Sequence, residues 1–414
     1  MSKVFLGLSG GVDSSVSAAL LKEQGHEVIC VYMKNWSQDL PGMKCPWAED
    51  LADAKRVATK LGLDFRVFDF EKDYKQKVVD YMLEEYQKGN TPNPDIMCNQ
   101  EIKFKLFYEV AMEQGADFIA TGHYARIGKS AAHSSKRASA TNEERSESPE
   151  PRNDGREGEV SREDMCADYS YQLRRAVDDD KDQTYFLYRI SEEALAHTIF
   201  PLGDLKKTEV KKLAEKYGLH TAHKAESMGV CFVGEANMKD FLSEFVETKP
   251  GEICELETGK KFGIHDGAIF YTIGQRHGLG LTDGLPYYVA KKDMAKNIVY
   301  VSRRLQNDEL WTTELELKDI ILRNCDTNER LAGGASGRVP TARSDSEHGG
   351  RDSSRQDPLA FYIRLRHRAP LIPAKLVGSK LMFDEKIKRP ASGQSAVFYG
   401  GKNAEICLGG GILV

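Results

Sequence analysis

The first 122 residues alternate short apolar runs with segments of helical composition, and this alternation most limits what the chain can fold into. In segment 47–61, Trp47, Leu51, Ala54, Ala58 and Leu61 recur at steps of four and three, as on one face of an amphipathic helix. We predict strands over 3–8, 26–33, 64–70 and 116–122, and helices over 13–24, 47–61, 72–87 and 100–114. Strands that alternate with helices indicate an α/β fold with a doubly wound parallel sheet.

The sequence pattern changes after about residue 285, where predicted short strands of alternating polarity follow one another without a long helix. Such a run is typical of a small antiparallel β-barrel. We therefore divide the chain into an α/β domain over 1–220, a small middle domain over 221–284 and a C-terminal antiparallel β-barrel over 285–414.

Two further segments, about 128–168 and about 327–357, are rich in Ser, Glu, Arg and Gly and have almost nothing to bury. We predict disordered insertions at both places. Because both carry arginines, an arm that folds on RNA is the alternative.

The composition suits a soluble globular protein, with 40% hydrophobic and 29% charged residues. No apolar run reaches the roughly 20 residues of a membrane span, and the N-terminus lacks a signal-peptide cleavage pattern, so we expect a cytoplasmic protein without a membrane partner. None of the eight cysteines forms a CxxC pair, so we predict no bound metal and no iron–sulfur cluster. The net charge of −5 means that nucleic-acid binding would need a local basic patch.

The segment LSGGVDSS (8–15) follows the first predicted strand and opens the first helix. Its glycines permit close backbone approach, and its N–H groups and hydroxyls can hold an anion at a helix N-terminus. A plain turn capped by Asp13 or Ser14 is the alternative. Ser-Gly-Gly-x-Asp-Ser directly after a first strand resembles the PP-loop of the adenylating ATP pyrophosphatase family, whose members bind ATP and release pyrophosphate.

The segment NTPNPDIMCN (90–99) contains two prolines and two asparagines, which predicts a stiff polar loop instead of a helix. It holds Cys98 immediately before the predicted helix 100–114, whose N-terminus would favour a thiolate. Asp95, three residues earlier, is a candidate general acid or base, and an Asx-turn residue is the alternative. For a cysteine the ordinary alternative is a small buried apolar side chain, and the polar context of Cys98 argues against it.

Six blocks extend the PP-loop resemblance over nearly the whole chain. In order they are GNTPNPDIMCN (89–99), TGHYAR (121–126), KDQTYFLY (181–188), MGVCFVGE (228–235), YTIGQRHGLG (271–280) and GQSAVFYGG (393–401). Together they resemble the tRNA-specific 2-thiouridylase family, which replaces O2 of the wobble uridine with sulfur. The resemblance implies ATP with Mg²⁺ as substrate, tRNA as partner, and a persulfide donor, either a cysteine desulfurase or a relay protein.

The resemblance also implies roles for individual residues. Cys231 would carry a persulfide, and Cys98 would act as its catalytic partner and form a transient Cys98–Cys231 disulfide. The ATP-binding residues would be Gly7, Leu8, Ser9, Gly10, Gly11, Val12, Asp13, Ser14, Met33 and Gly122. The contacts to tRNA or its target base would be Asn93, Pro94, Asp95, His123, Lys181, Asp182, Gln183, Arg366, His367 and Gln394. From the residues alone, Met33 is by default a core residue, the alternative for His123 is a helix cap, and the commoner interpretation of Cys231 is a buried apolar side chain.

Two basic segments offer candidate surfaces for RNA. In FYIRLRHR (361–368), Arg364, Arg366 and Arg368 would share one strand face and suit phosphates. A solvated edge strand is the alternative, since edges often carry basic charge. The lysine-rich segment 204–218 is interpreted as a solvated helix face.

Two other functions stay open from the sequence. An ammonia-using PP-loop ligase would need no paired cysteines, and a tRNA- or nucleotide-binding module would have no chemistry to perform.

Overall fold

The computed structural model describes residues 1–39, 45–131, 169–224, 238–281, 286–304, 309–323 and 359–414. Cys231, residues 132–168 of the first predicted insertion and all of the second lie outside these residues. Residues 128–131, assigned above to the first insertion, instead belong to a strand, β5 (Ala125–Ala131). Within the described parts of the chain, no helix is long and apolar enough to cross a membrane.

The α/β domain contains a five-stranded parallel sheet, as the alternating pattern predicts. Its strands are β1 (Lys3–Gly7), β2 (Glu27–Lys34), β3 (Asp64–Asp69), β4 (Phe118–Thr121) and β7 (Thr198–Ile199). They lie in the order β3-β2-β1-β4-β7, and every neighbouring pair is parallel. The prediction of a doubly wound α/β fold is therefore confirmed.

Helices cover both faces of this sheet. They are α1 (Val12–Glu23), α2 (Trp47–Leu61), α3 (71–87), α4 (94–113), α5 (Thr184–Leu187), α6 (Glu192–Ala196) and α7 (Lys207–Lys216). Successive residues of β1 point to opposite faces: Val4 and Leu6 pack with α1 and α2, whereas Phe5 packs with α3 and α4. Burial on both faces explains why β1 is apolar from Val4 to Leu6.

Helix α4 begins at Pro94, six residues before the predicted start. Asn93 is its N-cap, and the Asn93 side-chain oxygen accepts hydrogen bonds from the backbone N–H groups of Asp95 (3.1 Å) and Ile96 (3.4 Å). Pro94 occupies the first helical position, where a missing N–H costs nothing. The prediction that 90–99 excludes a helix is therefore wrong, because its second proline starts one.

The middle domain contains one four-stranded sheet and a helix. Its elements are α8 (Met238–Phe245), β8 (Gly251–Glu255), β9 (Lys261–His265), β10 (Tyr288–Asp293) and β11 (Ile298–Ser302), and the sheet order is β10-β11-β8-β9. The predicted boundary at 285 is therefore too early, since β10 and β11 were assigned to the barrel. Short alternating strands have the same sequence pattern in both domains. Only the pairing of β11 with β8 shows that β10 and β11 belong to the middle domain.

The C-terminal domain is a closed six-stranded antiparallel barrel, as predicted. Its strands are β12 (Trp311–Leu322), β13 (Leu359–Arg364), β14 (Ile372–Val377), β15 (Lys380–Lys388), β16 (Ser395–Gly400) and β17 (Ile406–Leu413). They follow the order β12-β15-β14-β13-β16-β17, and β17 closes onto β12. Strand β6 (Tyr169–Arg175), which forms a hairpin with β5, also pairs with β17, so the first domain and the barrel share a sheet.

Candidate nucleotide and thiol site

The PP-loop lies where the strand order of the parallel sheet reverses. Strand β1 lies between β2 and β4, and Gly7 at its end is paired with Thr121 at the end of β4. Open α/β sheets bind ligands at such a point, beyond the carboxyl ends of their strands. Residues 8–11 follow β1 there, and Gly122 and His123 follow β4, so the fold brings these predicted site residues to the same edge.

Three glycines allow neighbouring segments to approach this loop closely. A Cβ atom on Gly122 would lie 2.8 Å from the backbone nitrogen of Ser14, and one on Gly7 would lie 2.8 Å from Cε of Met33. Gly10 has a φ of +79° and packs against the backbone of Asp50. Met33 therefore lies beside the start of the loop, which is compatible with a contact to adenine. A residue larger than glycine at position 7, 10 or 122 would clash with the neighbouring segment.

Hydroxyl groups hold the loop in shape at the start of α1. Ser9 Oγ and Ser14 Oγ are 3.1 Å apart, and Ser14 Oγ and Ser15 Oγ donate to the Gly11 carbonyl at 3.2 and 2.7 Å. Gly11 is the N-cap of α1 and offers no side chain, so neither Asp13 nor Ser14 caps the helix. A helix start without a side-chain cap leaves its first N–H groups for a ligand of negative charge.

Asp13 forms an ion pair that the sequence did not reveal. Lys207 Nζ donates to both carboxylate oxygens, at 2.7 and 2.8 Å, and Tyr124 Oη donates to Oδ1 at 2.8 Å. Lys207 is the first residue of α7, within the segment interpreted as a solvated helix face, yet its side chain is only 9% exposed. Its position among several lysines gave no signal. Of the two partners of Asp13, only Tyr124 lies in a sequence block that had been singled out, TGHYAR (121–126).

A second lysine contacts the PP-loop from the other side. Lys224 Nζ donates to Asp50 Oδ1 (2.8 Å), Asp53 Oδ2 (2.7 Å) and the Gly10 carbonyl (3.3 Å). Burial acts to lower the pKa of Lys224, but its hydrogen bonds to the two carboxylates outweigh this and raise it. Lys224 is therefore a charged side chain that connects α2 to the PP-loop. It lies seven residues before Cys231 in the chain.

Cys98 lies inside α4, one turn after its start, and is only 1% exposed. It packs among apolar residues that include Ile96 and Ile102. The inference that the polar, proline-rich context of Cys98 argues against a buried apolar side chain is therefore wrong, and so is the placement of Cys98 before a helix start. Asp95 is half-buried on the same side of the helix, three residues earlier. Because Cys231 lies outside the described residues, the Cys98–Cys231 pairing stays a prediction.

The barrel holds the loop that leads into α4. Thr91 N donates to the Ser392 carbonyl at 2.7 Å, and Gln394 Nε2 donates to the Thr91 carbonyl at 2.6 Å. Between them, Gly393 has a φ of +86°, and a Cβ atom there would lie 3.0 Å from Cβ of Asn90. Gln394, a predicted tRNA contact, thus also fixes the loop that carries Asn93 and α4.

His123 is buried between aromatic rings and has a neutral imidazole. Its Nδ1 lies 2.8 Å from Thr121 Oγ1, and its ring lies 5.8 Å from Phe104 and 6.3 Å from Phe200. Burial, with a smaller effect of Lys103, holds the pKa of His123 well below its usual range. No helix starts at His123, so it is not a helix cap. Its imidazole is buried in this structure and cannot contact tRNA from the surface.

Asp182, another predicted tRNA contact, is sealed inside the protein. Its side chain is 0% exposed and accepts hydrogen bonds from Thr184 Oγ1 (3.0 and 2.9 Å) and Arg364 Nη1 (2.8 Å). Burial raises the pKa of Asp182, although Thr184 and Arg364 oppose that shift. The expected contact from its carboxylate to tRNA is therefore not available here. Its neighbours Lys181 and Gln183 are half-buried and nearer the surface.

The predicted stripe of three arginines does not exist. Strand β13 ends at Arg364, whose guanidinium turns inward to Asp182, because an inward carboxylate needs a cation. Arg366 and Arg368 are exposed in the turn that follows, and Arg368 has a φ of +61°. His367 between them is half-buried. The segment still offers two surface arginines, but from a turn and not from a strand face.

Family models match most of the chain. The model described as tRNA methyl transferase HUP domain matches residues 2–148 and 156–235. The model described as tRNA methyl transferase PRC-barrel domain matches 239–303, and that described as aminomethyltransferase beta-barrel domain matches 346–413.

Curated relatives match the chain over its full length. It is 40% identical to the tRNA-specific 2-thiouridylase MnmA of Lysinibacillus sphaericus over 99% of this chain and 94% of that protein. It is 38% identical to MnmA of Staphylococcus aureus, over 99% and 95% of the two chains, and 38% identical to MnmA 2 of Geobacillus kaustophilus, over 100% and 94%. Among solved structures, an NMN synthetase from Francisella tularensis aligns with 54% of this chain and 66% of its own, at 14% identity and a TM-score of only 0.29.

Proposed function

Because the chain belongs to the tRNA-specific 2-thiouridylase family, we propose that it uses ATP to replace O2 of the wobble uridine of tRNA with sulfur. The observation that carries the proposal is the uncapped start of α1 beside the Asp13–Lys207 pair, at the reversal point of the sheet. That arrangement suits a triphosphate, since it combines backbone N–H groups, a cation and a carboxylate at one edge.

The first step would be adenylation. The triphosphate would lie on the PP-loop, with Lys207 turning from Asp13 to a phosphate oxygen and Asp13 facing the Mg²⁺ that accompanies ATP. In proteins Mg²⁺ is commonly held by one or two carboxylates together with substrate phosphates, so a single carboxylate fits this role. The uridine C2 oxygen would attack the α-phosphorus, pyrophosphate would leave, and O2 would become part of an adenylate leaving group.

The second step would transfer sulfur. The terminal sulfur of a persulfide on Cys231 would attack C2, and AMP would leave with the former O2. The Cys98 thiolate would then attack Sγ of Cys231, so that the sulfur–sulfur bond of the persulfide breaks and its electron pair stays with the transferred sulfur. The products are 2-thiouridine and a Cys98–Cys231 disulfide, which a cellular thiol must reduce before the next turnover. Asp95, on the same side of α4 as Cys98, would serve as general acid or base.

Burial of Cys98 adds a requirement to this scheme. A thiol that is 1% exposed cannot reach a second cysteine or a nucleobase without a change in its surroundings. We expect tRNA binding to drive that change, because in many complexes the binding of a partner moves or orders a segment of the protein. The persulfide would come from a cysteine desulfurase or a relay protein, and the protein would act in the cytoplasm with its tRNA substrate.

The test is thiolation in a purified system. The protein, loaded with persulfide, is mixed with unmodified tRNA and Mg²⁺-ATP, and nucleosides are analysed by mass spectrometry. We expect 2-thiouridine only when ATP is present, and none from Cys98→Ala. Cys254→Ala is the matched control, because that buried cysteine lies in the middle-domain sheet and should be dispensable.

The same assay separates the two alternatives. Full activity of Cys98→Ala would favour a PP-loop ligase. If pyrophosphate is not released on addition of tRNA, a binding module is the better description.

A further inference from the structure

The short segment 89–91, which leads into α4, is contacted by both of the other domains. In addition to the barrel contacts to Thr91, the middle domain places Thr272 Oγ1 at 3.4 Å from Thr91 Oγ1. Met294 of the middle domain also packs here, so closely that a Cβ atom on Gly89 would lie 2.8 Å from its Cγ. The position of α4 is therefore tied to both domains through three residues of backbone.

Glu85 holds the same segment from the first domain. It lies in the last turn of α3 and is only 4% exposed. Glu85 Oε2 accepts a hydrogen bond from Asn90 Nδ2 at 2.7 Å, and the Glu85 carbonyl accepts one from Asn90 N at 2.9 Å. Asn90 is therefore fixed through its side chain and its backbone, three residues before the N-cap of α4.

Two lysines compensate the charge of this buried carboxylate. Lys88 Nζ donates to Glu85 Oε1 at 2.9 Å, and Lys318 Nζ of the barrel lies 3.7 Å from Oε2. Burial acts to raise the pKa of Glu85, but the hydrogen bonds from Lys88 and Asn90 and the charges of the two lysines outweigh it and lower the pKa. Glu85 is thus a charged group that joins the end of α3 to Asn90 and to the barrel.

A β-bulge in the barrel faces the end of α3. The pairing of β12 with β17 shifts register between Lys318 and Ile321, and Asp319 within this bulge has a φ of +51°. Bulges commonly redirect side chains. The Asp319 carbonyl accepts from Arg189 Nη1 at 3.3 Å, and Arg189 Nε donates to Gln100 Oε1 on α4. The same bulge therefore contacts α3 through Lys318 and is linked to α4 through Arg189.

We propose that Glu85 is a positioning residue for sulfur transfer, which fixes Asn90 between the three domains and so sets where α4 holds Cys98. The proposal rests on the proposed function, since it takes sulfur transfer through Cys98 as the reaction. Misplacement of a reacting group by about 1 Å can cost about 100-fold in rate. A residue that only stabilised the fold would instead leave the ratio between the two steps of the reaction unchanged.

The experiment is a single turnover of persulfide-loaded protein with tRNA and Mg²⁺-ATP, in which pyrophosphate release and 2-thiouridine formation are measured separately. Glu85→Gln keeps the shape of the side chain but removes the charge that Lys88 and Lys318 face. We expect sulfur transfer to slow about 10- to 100-fold, while pyrophosphate release changes by less than about twofold. Asp73→Asn is the matched control, because Asp73 pairs with Lys77 at 3.1 Å near the other end of α3 and should leave both steps unchanged.

A swap of donor and acceptor tests the bond between Glu85 and Asn90. Asn90→Asp alone places two carboxylates side by side and should slow sulfur transfer as Glu85→Gln does. In the double variant Glu85→Gln/Asn90→Asp, the new amide can donate to the new carboxylate, and one negative charge again faces the lysines. We therefore expect most of the transfer rate to return in the double variant.

A second readout follows the Cys98 thiol itself. Iodoacetamide labelling, mapped by mass spectrometry, should modify Cys98 faster in Glu85→Gln than in the wild type, because α4 is held less firmly. Cys30, which is 0% exposed in β2 of the same domain, is the internal reference and should be labelled at an unchanged rate. If Glu85→Gln does not fold, Lys318→Gln weakens the same site from the barrel and should lower the ratio of transfer to pyrophosphate release.

Three results would overturn the proposal: wild-type sulfur transfer by Glu85→Gln (or by Lys318→Gln in its place), equal slowing of both steps, or a double variant no faster than Asn90→Asp. Each can occur while the wild type makes 2-thiouridine, and then only the role of Glu85 is rejected. If the wild type makes no 2-thiouridine, the proposed function fails. Faster labelling of Cys98 but not of Cys30 in Glu85→Gln would still support control of α4 by Glu85, and equal labelling would reject it.

Discussion

Two ion pairs in this molecule have similar lengths and opposite surroundings. Asp13 and Lys207 are 2.7 Å apart at the PP-loop, where the Asp13 side chain is 33% exposed. Asp182 and Arg364 are 2.8 Å apart between the first domain and the barrel, where the Asp182 side chain is 0% exposed. A carboxylate that still faces solvent can exchange its cation for a ligand, whereas a sealed one can only hold its neighbours together.

The partners of each carboxylate support this distinction. Besides Arg364, Asp182 accepts from the Thr184 hydroxyl and from the Ala176 backbone at 3.2 Å, and Arg175 Nε lies 3.6 Å away. A buried charge with so many partners is costly to disturb. Asp13 accepts from Lys207 and Tyr124, and a third of its side chain stays exposed to solvent. We therefore expect substitutions at Asp182 to affect stability, and those at Asp13 to affect chemistry.

The largest effect is expected at the sealed pair. Asp182→Ala leaves the Arg364 guanidinium buried without its carboxylate, and removal of one partner of a buried pair typically costs about 3–5 kcal/mol. Denaturant unfolding should show this loss. Asp384→Ala is the control, because Asp384 forms an exposed pair with Lys375 in the barrel and should leave unfolding unchanged. A stability of Asp182→Ala close to that of the control would contradict the structural role of the pair.

The next effect is expected at the open pair. Asp13→Asn keeps the shape but removes the charge, and we expect tRNA-dependent pyrophosphate release to fall about 10²- to 10³-fold, as when one electrostatic contact in a transition state is lost. Unfolding should change little. Asp204→Asn, at an exposed aspartate near Arg126, is the control. Normal pyrophosphate release by Asp13→Asn would remove the open pair from the mechanism.

A smaller effect is expected at the start of α4, which the barrel holds in place. Asn93→Ala removes the N-cap and should cost about 1 kcal/mol of unfolding free energy. It should also slow single-turnover sulfur transfer without changing pyrophosphate release, because the cap orients the helix that carries Asp95 and Cys98. Ser191→Ala removes the cap of α6, where Ser191 Oγ accepts from Ala194 N at 3.1 Å. Equal slowing of transfer by both variants would show that the effect is not specific to α4.

The smallest effect concerns the pH dependence of stability. Because the pKa of His123 lies well below 6.5 in the folded protein, the folded state binds fewer protons than the unfolded state below pH 6.5. The contribution of neutral His123 is fully present above that pH and is lost as the pH falls. From pH 7 to 6 the loss should be under about 1 kcal/mol. His123→Phe should show a flatter dependence in thermal unfolding, and an unchanged slope would contradict a buried neutral imidazole.

Several features of the fold were predictable because their causes are local. The apolar runs of β1 and β2, the four–three spacing in α2 and the glycines after β1 act within a few residues. They gave the parallel sheet and the position of the PP-loop. The start of α4 is equally local: Pro94 breaks a helix interior but is favoured at the first helical position, which is where it lies.

The sequence by itself determined the class of each domain, the PP-loop and the family, because these depend on patterns within short segments and on their order. Only the tertiary structure decided that Lys207 faces Asp13 and that Arg364 turns inward to Asp182. It alone also decided that Gln394 bonds the Thr91 carbonyl, 303 residues away in the chain. Each of these contacts joins residues that no local rule relates. A charged side chain takes the partner that packing brings to it, because burial makes an unpaired charge more costly than any local preference can offset.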